Sequence, residues 1–179
     1  AKARTKIPVI KNFLDKADKI LVGGVIANDI LKAGGKDMAN AVVDDNLEQL
    51  LSGLDLSDNH LIVPQDFNSF EDRFLDIGSK TIGNFVDIIS RAKMIIWNGP
   101  MGVFEDRRFS VGTDAVAKAI IASSAFKVLG GGDTVAAVDR LGFLDKFDYV
   151  STGGGAMLAF LSGEKLPGLE ALGFYESKD

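Results

Sequence analysis

The sequence predicts an α/β protein, a Rossmann-like parallel sheet with helices on both faces. Three observations carry this. Short β-prone apolar runs alternate with segments of helical apolar spacing at least five times. Four of the runs are closed by glycine clusters, at Gly23-Gly24, Gly99 to Gly102, Gly130 to Gly132 and Gly153 to Gly155. Parallel crossovers are right-handed, so all strands end on one edge, the edge where such sheets bind ligands. Any one glycine cluster fits a plain strand–helix turn equally well; four on one edge point to a site.

The elements follow in order. Apolar Ile7, Ile10, Phe13, Leu14 and Ala17 have the 3,4 spacing of an amphipathic helix. Residues 19–24 read as a strand closed by glycines, and 25–33 as a helix ended by Gly34-Gly35. Residues 41–51 read as a further helix, stopped by Ser52-Gly53. His60 to Pro64 is a strand, with Pro64 at its end where a missing N–H does little harm. Residues 65–76 have no clear period, although 74–78 fits a short edge strand. Ser79 is expected to cap a helix running to Ala92. A strand over 93–97 leads into the Asn98 to Gly102 loop, and Thr113 is expected to cap a helix reaching about Ser123. Strand 126–129 feeds a helix ending near Gly142, strand 148–150 a helix over 156–161, and residues 166–172 form a last turn.

The 179 residues suffice for one domain with a sizeable core. Net charge is -5 with no basic stripe, which argues against nucleic acid as a partner. No apolar run approaches the roughly 20 residues of a membrane helix. There is no Cys, so thiol chemistry is excluded and a reducing, cytoplasmic setting fits. The chain opens on Ala1 without Met and is expected to start inside a longer protein.

The stretch richest in chemistry is Val128-Leu-Gly-Gly-Gly-Asp-Thr134. It reads as strand, bare turn, helix. Glycines let the backbone approach a ligand, and Asp133 or Thr134 can cap the helix. The free N–H groups and dipole of a helix start suit phosphate. Asp133 would repel a phosphate unless a cation such as Mg²⁺ lies between them. Neither a P-loop nor a G-x-G-x-x-G spacing is present, which counts against an NAD-binding domain. Asn98 offers an amide to a phosphate or a metal-bound water. Glu105 fits either a ribose-binding carboxylate or a solvated loop residue. Lys2 and Lys6, four apart at a helix start, fit either a pair meeting a phosphoryl group or two solvated lysines. Gly78 fits either a gap for adenine or a plain turn. His60 and Trp97 are read as structural.

Ile95-Ile-Trp-Asn-Gly-Pro-Met-Gly-Val-Phe-Glu105, Gly130-Gly-Gly-Asp-Thr134 and Ser151-Thr-Gly-Gly-Gly-Ala156 together resemble the phosphoglycerate kinase family in order and spacing. Leu75-Asp-Ile-Gly78 and Leu166-Pro-Gly168 agree, and residues 1–6 look like the remainder of its Gly-Gly-Ala-Lys-x-x-x-Lys motif. The resemblance implies that residues 1–179 are the nucleotide-binding, C-terminal half of a two-domain kinase. That kinase moves a phosphoryl group between 1,3-bisphosphoglycerate and ADP with Mg²⁺, giving 3-phosphoglycerate and ATP in glycolysis.

By the same resemblance Lys2, Gly132 and Gly155 face the transferring group and Lys6 the nucleotide phosphates. Asn98, Pro100, Gly131, Gly132, Thr134, Gly153 and Gly154 line the nucleotide. Glu105 holds the ribose, Asp133 the metal, and Gly23, Gly24 and Gly78 flank the adenine. Val25 stands where the family usually has a third glycine. The family's first strand of this domain and its N-terminal substrate domain are absent, so the sheet is expected to be truncated at its N-terminal edge and to leave strands unpartnered. A stand-alone adenine-nucleotide-binding module without catalysis is the alternative.

Overall fold

Strand–loop–helix units recur through residues 3–175, the part of the chain that the computed structural model describes. Helix α1 (Ala3–Phe13) buries Ala3, Ile7 and Ile10 on one stripe. It starts four residues before the sequence period suggests, with Pro8 inside it. Strand β1 (Ile20–Leu21) pairs in parallel with β2 (Leu61–Ile62). Between them lie α2 (Gly24–Ala33) and the short α3 (Leu47–Leu51). Stripes from α1, α2 and α3 meet over β1 and β2, forming a core of Ile7, Ile10, Val22, Ala27, Ile30, Leu51 and Leu61.

The second parallel piece is β5 (Met94–Asn98), β6 (Phe126–Gly130) and β7 (Tyr149–Ser151), in that spatial order. Helices α4 (Ser79–Ser90), α5 (Val111–Ala122) and α6 (Gly132–Arg140) supply Phe85, Ile89, Val116, Ile120 and Val138 to its core, against Trp97 and Leu129. Helices α7 (Gly154–Leu161) and α8 (Pro167–Ala171) follow. Asn12 at the end of α1 donates to the Leu161 carbonyl at 2.7 Å and ties α1 to α7. Among the described residues β1 pairs only with β2, and β5 only with β6. The parallel strands are thus in two pieces, each with an open edge.

Four local expectations change. The helix expected over 41–51 is confined to α3. Two buried side chains of α2 explain this: Asn28 donates to the Val42 carbonyl at 3.0 Å, and Asp29 accepts from Asp44 N at 2.8 Å. Those backbone groups are held in an irregular path and are lost to the helix ladder. Residues 65–76 contain β3 (Phe67–Phe70), antiparallel to β4 (Arg73–Ile77). Their turn puts Glu71 and Asp72 at φ 50° and 59°. Such turns usually carry Asn or Gly, so the sequence shows no hairpin signal there.

Ser79 is not the cap of α4. Gly78 occupies that position, and the distant Asp66 carboxylate takes the orphan N–H groups of Lys80 and Thr81 at 3.0 and 2.8 Å. Thr113 and the Asp133-Thr134 pair are not caps either. Ser110 precedes α5 and Gly131 precedes α6, neither with a side-chain cap. The Thr113 hydroxyl instead accepts from Met101 N at 3.0 Å.

Asp29 is fully buried, and among the described residues neither its Oδ2 nor Asp44 Oδ2 has a hydrogen-bond partner. Burial raises the Asp29 pKa. A carboxyl whose folded pKa lies above its unfolded one contributes stability at low pH, and that contribution is lost as pH rises through the folded value. Asp29→Asn keeps the acceptor for Asp44 N and removes the charge. It is expected to raise unfolding free energy near neutral pH by about 1–2 kcal/mol and to flatten its acid-to-neutral slope. Urea unfolding at several pH values measures both.

Candidate functional site

Three glycine turns meet at the C-terminal ends of β5, β6 and β7. Gly99 (φ 112°) and Gly131 (φ 90°) hold backbone conformations that a side chain would strain. A Cβ on Gly154 would lie 2.9 Å from Gly131 Cα, so the second and third turns touch through bare backbone. The first and second are tied by Gly99 N, which donates to the buried Thr134 hydroxyl at 2.7 Å. Trp97 Nε1 donates to the Gly99 carbonyl at 2.8 Å, which fixes the turn from below. Trp97 is therefore structural. So is His60, whose ring Nδ1 lies 2.8 Å from Asp58.

These contacts bring the starts of α6 and α7 together at an open cleft of about 520 Å³. Lys6, Asn98, Gly99, Gly131, Gly132, Asp133, Thr134, Gly154 and Gly155 line it, and Gly153 immediately precedes the start of α7. Helix α1 forms one wall, and Lys6 Nζ donates to the Asn98 carbonyl at 3.0 Å. Asn98 Nδ2 is buried and has no hydrogen-bond partner among the described residues. A buried orphan donor beside two helix N-termini suits an anion's oxygen. Lys2 lies outside the described residues.

The remaining predicted residues are not among those that line the cleft. Gly24 N donates to Met101 O at 3.2 Å, and Gly23 packs on Met101, so this fourth turn joins the loop after β5. Val25 is exposed at the start of α2. Pro100 and Glu105 belong to the same loop, and Glu105 is exposed. Gly78 has a packing reason: a Cβ there would collide with the Asp66 carboxylate. The sequence reading missed Arg4, Leu158 and Glu164 on the cleft wall. It also missed Arg140, which donates to the Phe104 carbonyl at 2.6 Å and pairs with Asp114. Only the i, i+4 spacing of Leu158 from Gly154 hinted at any of these.

Among the described residues no three acidic, His or Cys side chains converge to hold a metal. Asp133 on the cleft wall nevertheless fits Mg²⁺, which is commonly held by one or two carboxylates together with substrate phosphates. No helix among the described residues is long and apolar enough to cross a membrane.

A family profile of phosphoglycerate kinase matches residues 1–164. The chain belongs to the phosphoglycerate kinase family. The phosphoglycerate kinase of Streptococcus thermophilus is 42% identical over 193 residues, covering 96% of this chain and 48% of its own length. That of Clostridium botulinum is 42% identical over 194 residues, covering 96% and 49%. The solved phosphoglycerate kinase of Coxiella burnetii superposes with a TM-score of 0.85 at 36% identity, over 96% of this chain and 50% of that one. That of Pyrococcus horikoshii gives 0.79 at 34% identity. The chain thus spans about half the length of the relatives it matches.

Proposed function

We propose that residues 1–179 form the nucleotide half of a two-domain glycolytic kinase of the cytoplasm. The whole enzyme would transfer a phosphoryl group between 1,3-bisphosphoglycerate and ADP, giving 3-phosphoglycerate and ATP. The observation that carries this is the meeting of two helix N-termini over Gly131 and Gly154, with the unpartnered Asn98 amide, Lys6 and Asp133 on the walls.

The amides at Gly132, Asp133 and Thr134, and those at Gly154 and Gly155, offer fixed dipoles to a phosphate chain. Lys6 and the Asn98 amide add charge and a donor. Lys2, by its place in the motif, faces the transferring phosphoryl with Gly132 and Gly155. Asp133 would hold Mg²⁺, which when bound neutralises phosphate charge. Glu105 holds the ribose, and the turns at Gly23, Gly24, Gly78 and Pro100 border the base. The phosphoglycerate would be gripped by the other half of the enzyme.

Asp133→Asn tests the metal role. It is expected to weaken Mg-ADP binding about tenfold, corresponding to ~1.4 kcal/mol, while metal-free ADP binding changes little. Calorimetric titration with and without Mg²⁺ separates the two. Equal losses would remove Asp133 as a metal ligand, and tighter binding of NAD than of Mg-ADP would overturn the nucleotide assignment.

A further inference from the structure

Asp76 stands at the end of β4, 3% exposed, and no step above uses it. Its Oδ2 accepts from Gly112 N at 2.7 Å, in the first turn of α5, and its Oδ1 accepts from Ile77 N at 2.9 Å. Gly102 rests directly on it: a Cβ there would come within 2.5 Å of Asp76 Oδ1 and of the Leu75 carbonyl. A Cβ on Gly112 would collide with the same carboxylate. One buried carboxylate therefore sits where β4, the start of α5 and the loop after β5 converge, with both oxygens engaged and two glycines shaped around it. The loop has further anchors. Val103 N donates to the Leu75 carbonyl at 2.9 Å, Met101 N to Thr113, and Arg140 to the Phe104 carbonyl.

We propose that Asp76 is a positioning residue for nucleotide binding, its carboxylate forming the floor that shapes Gly102 to Glu105 to receive the ribose and base. This rests on the adenine-nucleotide reading of the cleft. The ionised carboxylate accepts both N–H groups at once. In the neutral form the oxygen that carries the proton is the poorer acceptor, so one of the two contacts weakens and the loop loosens on protonation. Burial pushes the Asp76 pKa up to about 6, and Asp114 on α5 adds to the shift. Asp114 is itself paired with Arg140 of α6.

Two consequences run in opposite directions. Folding stability carried by a carboxyl with a raised pKa is greatest at low pH and falls as pH rises through about 6. Nucleotide affinity rises over the same interval, because the ionised form holds the loop. A carboxylate that merely supports the fold would move both together.

The test uses adenosine, which has no phosphate to titrate in this range. Its affinity for the unmodified chain, read by NMR shift titration between about pH 5 and about pH 8, is expected to tighten about fivefold. The midpoint should lie near 6, while the melting temperature falls. Asp76→Asn should show neither trend. The unmodified chain alone suffices for the first arm if the variant fails to fold. An affinity that is flat, or that falls with stability, overturns the positioning role. Failure of both adenosine and Mg-ADP to bind at every pH overturns the nucleotide reading and this role with it.

Discussion

Gly154→Ala is expected to weaken Mg-ADP binding by at least about tenfold, an effect in the ~1–3 kcal/mol range of a core overpacked by a methyl. The added Cβ would meet Gly131 Cα at 2.9 Å and Gly131 N at 3.3 Å. Backbone is the obstacle, and it has nowhere to go. Gly131 already sits at φ 90°, and its carbonyl accepts from Val135 N at 2.9 Å in the first turn of α6. The two turns must separate, and with them the two helix starts whose amides would cradle the phosphates. Gly83→Ala is the control. Its Cβ meets nothing within 4 Å, inside α4, so binding should be unchanged and stability should rise by ~0.4–1 kcal/mol. Calorimetry for binding and thermal melts for folding measure both variants. Undiminished affinity in Gly154→Ala would mean that contact between the turns does not shape the site.

The 179-residue chain alone is expected to bind Mg-ADP weakly and to synthesise no detectable ATP from 1,3-bisphosphoglycerate. Adding the N-terminal half of a family member should restore acyl-phosphate-dependent ATP synthesis. The cleft offers groups for a nucleotide's phosphates but sets no second substrate in line with them. Positioning two reactants contributes on the order of 7–11 kcal/mol to such a barrier, so its loss takes turnover below detection. Closure of the two halves would supply the alignment and exclude water. A coupled assay for ATP decides it. Turnover by the chain alone would show that half the constellation is enough, and binding without restored turnover would favour a nucleotide-binding module.

The residues that line the cleft were largely legible because strand–helix alternation places the ends of parallel strands on one edge. Gly99, Gly131, Gly132, Asp133, Thr134, Gly154, Gly155 and Lys6 do share one cleft. What eluded the sequence lay in long-range contacts. Nothing near Gly78 announces that Asp66 caps the next helix and occupies the space over that glycine. The positive-φ turn at Glu71 and Asp72 lacks the residues that usually mark it, so β3 was invisible. The shortened α3 depends on buried Asn28 and Asp29 taking backbone groups 14 and 15 residues away.

By itself the chain's apolar period, with glycines at its breaks, determined the α/β class and the strand-end loops. Period is a local property, and it states which face of each element must be buried. The division of the sheet into two pieces, the contact of Gly131 with Gly154, the orphaned Asn98 amide and the burial of Asp76 were decided only by tertiary structure. Each depends on which distant backbone occupies the neighbouring space, and no local spacing encodes that.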